Sequence, residues 1–219
     1  MENKNKLIQT EIVVVLDRSG SMRSIDKATV EGFNKFLDEQ KNSEGEAFVT
    51  LVQFDDRYEM NYQNVPVKNV DNLVLNETFV PRGTTALFDA IGKTIEELKT
   101  DRDVVFVIIT DGEENASKTY KREAIMKMIE TQTNEGWKFL FLAANQDAIQ
   151  AGGSIGIKGS NSINYSSNDI STANVFASVS DNMSKYRSSK IAALNLSDTN
   201  LENISKDLNF DDDQRNKSK

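Results

Sequence analysis

The chain has 219 residues, is 38% hydrophobic and 27% charged, carries a net charge of −8, and contains neither cysteine nor histidine. The two absences exclude disulfides, thiolate zinc sites, cysteine nucleophiles, imidazole bases and any Ser-His-Asp triad. The negative charge argues against sequence-independent binding to nucleic acid or an anionic membrane, and no run nears the roughly 20 apolar residues of a membrane span.

Residues 1–6 are polar and lead into a short apolar strand, not a signal-peptide core, so a cytoplasmic location is expected. Residues 11–17 form the predicted first strand, whose run Ile12-Val13-Val14-Val15-Leu16 suits a strand covered on both faces. Residues 24–42 carry helical periodicity through Val30, Phe33, Phe36 and Leu37. Residues 47–54 read as a second strand, Asp55-Asp56-Arg57 as a hairpin turn, and the alternation of Tyr58, Met60 and Tyr62 as an antiparallel edge strand. Helices are predicted over 84–99 and 121–135, and buried strands over 103–110 and 138–144. A short helix over 146–151 reaches Gly152-Gly153-Ser154-Ile155-Gly156, best read as a tight turn because no strand-to-helix context makes it a phosphate loop. A last strand is predicted over 162–165.

This alternation predicts an α/β fold: a doubly wound, mostly parallel sheet with one antiparallel edge strand, right-handed crossovers and helices on both faces. The division expected is a domain over 8–165, a C-terminal extension over 166–195 packed on it through a helix at 171–186, and a polar, flexible tail over 196–219. The Asn-x-Ser/Thr sequons, such as Asn115-Ala116-Ser117, follow from an Asn- and Ser-rich composition.

Three loops carry the chemistry. Asp17-Arg18-Ser19-Gly20-Ser21 ends the first strand, Pro81-Arg82-Gly83-Thr84-Thr85 precedes a helix, and Thr110-Asp111-Gly112 ends the strand over 103–110. All offer oxygen donors only, the chemistry of a hard divalent cation. In an open α/β sheet, ligands gather at the carboxyl ends of strands where the winding reverses, so Asp17 and Asp111 meet if their strands are neighbours. Taken alone, Asp17, Ser19 and Ser21 suit helix capping equally well. Thr84 rivals Thr85 for the metal position; the spacing from Gly83 favours Thr85 and leaves Thr84 as an N-cap. Glu113 and Glu114 read as solvated loop charges, and Asn145-Gln146-Asp147 as polar rim or loop residues.

Asp17-x-Ser19-x-Ser21, Gly83-x-Thr85 and Thr110-Asp111-Gly112, in this order and context, resemble the metal-ion-dependent adhesion site of von Willebrand factor A (vWA) domains, in their bacterial or phage-type intracellular branch. The resemblance covers roughly residues 8–165. It implies a Rossmann-like vWA fold and a Mg²⁺ ion, with Mn²⁺ or Ca²⁺ as substitutes. Ser19 and Ser21 would bind directly, Thr85 directly or through water, and Asp17 and Asp111 largely through coordinated water. The implied function is not enzymatic: a protein partner presents Asp or Glu to the metal. Two other classes compete. A metal-dependent phosphohydrolase or phosphotransferase uses the same crevice, but Ser19 stands where such enzymes usually carry a second acid. A structural assembly component keeps the fold without metal exchange.

Overall fold

The computed structural model describes residues 9–144, 147–196 and 201–219. Among these residues six strands form one sheet: β1 (Thr10–Asp17), β2 (Ala47–Phe54), β3 (Tyr58–Pro66), β4 (Asp103–Thr110), β5 (Lys138–Ala144) and β6 (Ser162–Tyr165), in the order β3-β2-β1-β4-β5-β6. Only β3, at one edge, runs antiparallel. The helices are α1 (Asp26–Asn42), α2 (Leu87–Glu97), α3 (Arg122–Asn134), α4 (Ala148–Ser154), α5 (Asp169–Leu196), α6 (Leu201–Ser205) and α7 (Asp212–Lys217). This is the doubly wound sheet expected from the sequence, with its antiparallel edge strand and the Rossmann-like topology of vWA domains.

The period of two along β1 assigns its side chains to two cores. Ile12, Val14 and Leu16 pack with α1 and α5, whereas Val13 and Val15 pack with α2, α3 and α4. Both faces being covered, β1 and β4 are buried along their whole length. The chain winds from β1 toward β3, then returns across the sheet to β4 and continues to β6. The reversal falls between β1 and β4, which pair in parallel from Thr10 opposite Asp103 to Leu16 opposite Ile109. The loops after Asp17 and Thr110 therefore leave the same end of the sheet side by side.

On the first face, α1 and α5 approach closely at Gly32. A methyl built on Gly32 would lie 2.5 Å from Phe176 Cδ2 and 3.1 Å from its Cβ, so the root of the ring, not a movable tip, blocks it. Gly32→Ala gains helix propensity of about 1 kcal/mol but overpacks a full core at a cost of about 1–3 kcal/mol. The expected net result is a destabilisation of at most about 2 kcal/mol, read as a lower urea midpoint at unchanged slope.

The structure departs from the sequence reading in several places. Helix α2 begins at Leu87, not at 84, and its N-cap position is Ala86, so Thr84 is an exposed loop residue and not a cap. The turn reading of Gly152-Gly153-Ser154 is replaced by the last residues of α4, where a Cβ on Gly152 would stand 2.6 Å from Ser162 Oγ. The turn itself falls at Gly156, with φ +91°. Asp147 caps α4, accepting from the amides of Ile149 and Gln150, while Asn145 and Gln146 lie outside the described residues.

Helix α5 also runs well past its predicted end. Its second half is held by polar anchors: Tyr186 donates its hydroxyl to Asp103 Oδ2 at 2.7 Å, Lys190 Nζ lies 2.6 Å from the same oxygen, and Arg187 donates to Gln40 and to the Gly45 carbonyl. Where the sequence reads as a flexible tail, residues 201–219 form α6 and α7 and bury Leu208 and Phe210.

Candidate metal centre

Asp17, the last residue of β1, is fully buried. Its Oδ1 accepts the Ser19 amide at 2.6 Å, turning the chain sharply at the strand end, and its Oδ2 accepts the Thr110 hydroxyl at 2.6 Å from the neighbouring strand. The turn sets Ser19 Oγ 3.0 Å from Ser21 Oγ, and the Ser21 hydroxyl donates to Asp111 Oδ1 at 2.6 Å. Thr85 comes from the third loop. Its N–H donates to Asn115 Oδ1 at 3.0 Å and its carbonyl accepts the amides of Asn115 and Ala116, so both sides of its backbone are held.

Gly112 lies beside the three hydroxyls. A Cβ at this residue would lie 3.2 Å from Thr85 Oγ1, 3.4 Å from Ser21 Oγ and 4.0 Å from Ser19 Oγ. Three hydroxyl oxygens from two loops thus surround one small space beside the third. Asp111 Oδ2 is buried and accepts no hydrogen bond from the described residues. All five predicted residues, Asp17, Ser19, Ser21, Thr85 and Asp111, therefore gather at the carboxyl ends of β1 and β4, Asp17 joining through Ser19 and Thr110.

The electrostatics are those of uncompensated anions. Burial pushes the Asp17 carboxyl up to about 6, against the hydrogen bonds from Thr110 and Ser19, and the nearby Asp111 charge adds to the rise. Burial raises Asp111 as well. No lysine or arginine among the described residues pairs with either carboxylate. Tyr165 closes the underside, donating its hydroxyl to the Thr110 carbonyl at 3.3 Å; burial and the two carboxylates hold its phenol well above the usual range. An unpartnered buried oxygen, two carboxylates lacking a cation and three converging hydroxyls fit a hard divalent ion. Among the described residues no three acidic, cysteine or histidine side chains gather elsewhere as a rival metal site.

Several supporting residues escape sequence reading. Glu114, read as a solvated charge, instead accepts the Phe88 amide of α2 at 2.9 Å and the amides of Ala116 and Ser117. It thereby caps α2 from another loop and fixes the segment carrying Asn115; Glu113 is exposed, as expected. Asp55 is buried and accepts from both Arg18 Nε at 3.1 Å and Arg82 Nε at 2.8 Å. The available signal was its position, directly after the carboxyl end of β2, on the same sheet end as Asp17.

Comparison with known proteins agrees with this architecture. Residues 12–114 match the family model of the von Willebrand factor type A domain. No curated protein matches the chain. Among solved structures, proximal thread matrix protein 1 from the mussel byssus, with a zinc-occupied MIDAS motif, is similar at TM-score 0.58 and 15% identity, over 84% of this chain and 46% of that one. The ArnB paralog VWA2 from Sulfolobus acidocaldarius is similar at TM-score 0.55 and 18% identity, over 79% and 44% of the two chains. The pilus adhesin SpaC from Lactobacillus rhamnosus GG is similar at TM-score 0.63 and 12% identity, over 81% and 31%. This chain spans less than half the length of each of the three, and at such identities the likeness is one of fold.

Proposed function

We propose, from a chain with the vWA fold and this oxygen cluster, a Mg²⁺-dependent protein-interaction module that captures an aspartate or glutamate of its partner. The observation that carries the reading is the hydroxyl cradle around Gly112 beside the unpartnered Asp111 Oδ2. Ser19, Ser21 and Thr85 would hold the ion, with Asp17 and Asp111 supplying charge. The bound ion supplies an electrophilic site for a carboxylate, and Mn²⁺ or Ca²⁺ would substitute for Mg²⁺. Neutral hydroxyls dominate the donor set and leave charge on the ion unsatisfied, which favours an anionic group from outside. Ser21 holds Asp111 through its hydroxyl, Thr110 holds Asp17, and Asn115 orients Thr85, so these residues keep the oxygens converged before any ligand arrives. The zinc-occupied MIDAS motif of the mussel protein supports metal binding on this fold, and the pilus adhesin supports an adhesive role. The absence of histidine and cysteine supports a non-enzymatic reading.

The test pairs calorimetry with Mg²⁺ on purified protein and capture from host lysate, comparing wild type in magnesium, wild type in EDTA, and Asp17→Ala in magnesium. Heat of binding for wild type only, and a protein retained only by wild type in magnesium, are expected. Identical retained sets in all three arms, or no Mg²⁺ binding, would overturn the proposal.

A further inference from the structure

Outside the oxygen cluster, four charged side chains join three separate loops. Arg18, in the loop after β1, is buried and lies between Asp55, at the β2–β3 turn, and Glu59, early in β3. Arg82, in the segment before α2, reaches the same two acids: Nε to Asp55 Oδ2 at 2.8 Å and one terminal nitrogen to Glu59 Oε1 at 2.7 Å. The remaining Asp55 oxygen accepts the Arg57 amide at 2.7 Å. The two guanidiniums, that of Arg18 foremost, hold the Glu59 carboxyl down to about 2.

The same loops are stitched through backbone. The Arg82 amide donates to the Arg18 carbonyl at 2.8 Å, the Gly20 amide to the Gly83 carbonyl at 3.2 Å, and the Ala86 amide to the Asp55 carbonyl at 3.0 Å. Gly83 has φ +67°, and the Asp56 carboxylate lies against it where a Cβ would stand 2.2 Å from Oδ1. Thr85 is therefore suspended between Arg82 and Ala86, each fixed to Arg18 or Asp55, while Ser19 follows Arg18 directly. The two halves of the hydroxyl cradle are held in mutual register by ion pairs that touch neither.

We infer that Arg82, with Arg18, Asp55 and Glu59, is a positioning group that sets the metal affinity of the cluster by fixing the loop carrying Thr85 against the loop carrying Ser19 and Ser21. The inference rests on the metal-binding reading above. Arg82 is the member to change: its side chain is 40% exposed and Glu59 44%, so their pairing contributes little to global stability, and Asp55 keeps its buried partner Arg18 when Arg82 is removed. Lysine at this position has one point charge and cannot span both acids as the guanidinium fork does.

The experiment measures Mg²⁺ affinity by calorimetry, and amide exchange in EDTA, for wild type, Arg82→Ala and Arg82→Lys. Arg82→Ala is expected to weaken Mg²⁺ binding about tenfold, as loss of a group supporting metal ligands does. With no metal present, the amides of Gly20, Arg82 and Ala86 should exchange faster while those of β1 and β4 keep their rates. Arg82→Lys should recover only part of both effects. Wild-type Mg²⁺ affinity in a folded Arg82→Ala would overturn the inference and leave the metal-binding reading standing. No Mg²⁺ binding by wild type would overturn both.

Discussion

Gly112→Ala should abolish Mg²⁺ binding while leaving the metal-free fold in place. The added methyl would sit 3.2 Å from Thr85 Oγ1 and 3.4 Å from Ser21 Oγ, in the space that the hydroxyls enclose. Hydroxyl rotors and small loop shifts absorb contacts of that length, and the backbone there has no positive φ, so the cost to the metal-free protein should stay within about 1 kcal/mol. A cation has no such latitude, since Mg²⁺ demands near-octahedral oxygen contacts at about 2.0–2.1 Å. The expected loss of affinity is about 100-fold or more, the upper end of what disturbing ligand support costs. Calorimetry with Mg²⁺ and denaturant unfolding in EDTA check the two halves separately. Retained affinity would show that the space beside Gly112 is not where the ion binds.

Asp17→Asn should do the opposite to stability, making the metal-free protein more robust. Burial pushes the Asp17 carboxyl from 3.8 to about 6 in the folded state. At acid pH both folded and unfolded chains hold the proton. As pH rises from 3.8 toward 6 the unfolded chain releases it first, so this group's contribution to stability falls through that window. At neutral pH the ionised carboxylate costs up to about 3 kcal/mol, since each pKa unit is worth about 1.4 kcal/mol. Asparagine removes the charge and keeps the contacts. Its carbonyl accepts the Ser19 amide, and its amide donates to Thr110 Oγ1, whose proton turns to the Gly112 carbonyl 3.1 Å away. In EDTA at pH 7 the variant should be more stable than wild type by about 1–3 kcal/mol, with the gap closing toward pH 4. In wild type, Mg²⁺ at 100 times its Kd should add about 2.7 kcal/mol, and in the variant nothing. Equal stability of the two proteins in EDTA across this range would refute a buried, ionised Asp17.

The sequence carried most of the sheet and little of what tensions it. The bounds of β2, β4, β5 and β6 were legible because each is an apolar or alternating run bracketed by polar residues, and a buried strand has no other way to read. The start of α2 was not, because its orphan amide at Phe88 is satisfied by Glu114, more than twenty positions away, and not by a local cap. The length of α5 was hidden for a related reason. Its inward positions beyond Tyr186 are Arg187 and Lys190, charged residues that periodicity assigns to solvent but that reach buried acceptors at the far end of the sheet. The three site loops were legible because oxygen-bearing residues cluster at strand ends. The partners holding them were not: Asp55 reads as a turn residue, and only the fold reveals that the turn faces two arginines from other loops.

The C-terminal segment has a consequence for how the molecule behaves in crowded solution. β6 is a terminal strand of the sheet, and such a strand offers unpaired backbone groups to any other chain. Here Arg215 donates to the carbonyls of Gly159 and Ser162, the Phe210 amide to that of Ser160, and the Ser218 carbonyl accepts the Ser166 amide. These bonds tie residues 210–218 to the first residue of β6 and to the segments flanking it, so trimming this polar stretch as dispensable would free the Ser162 carbonyl and leave the edge strand more open to edge-to-edge association.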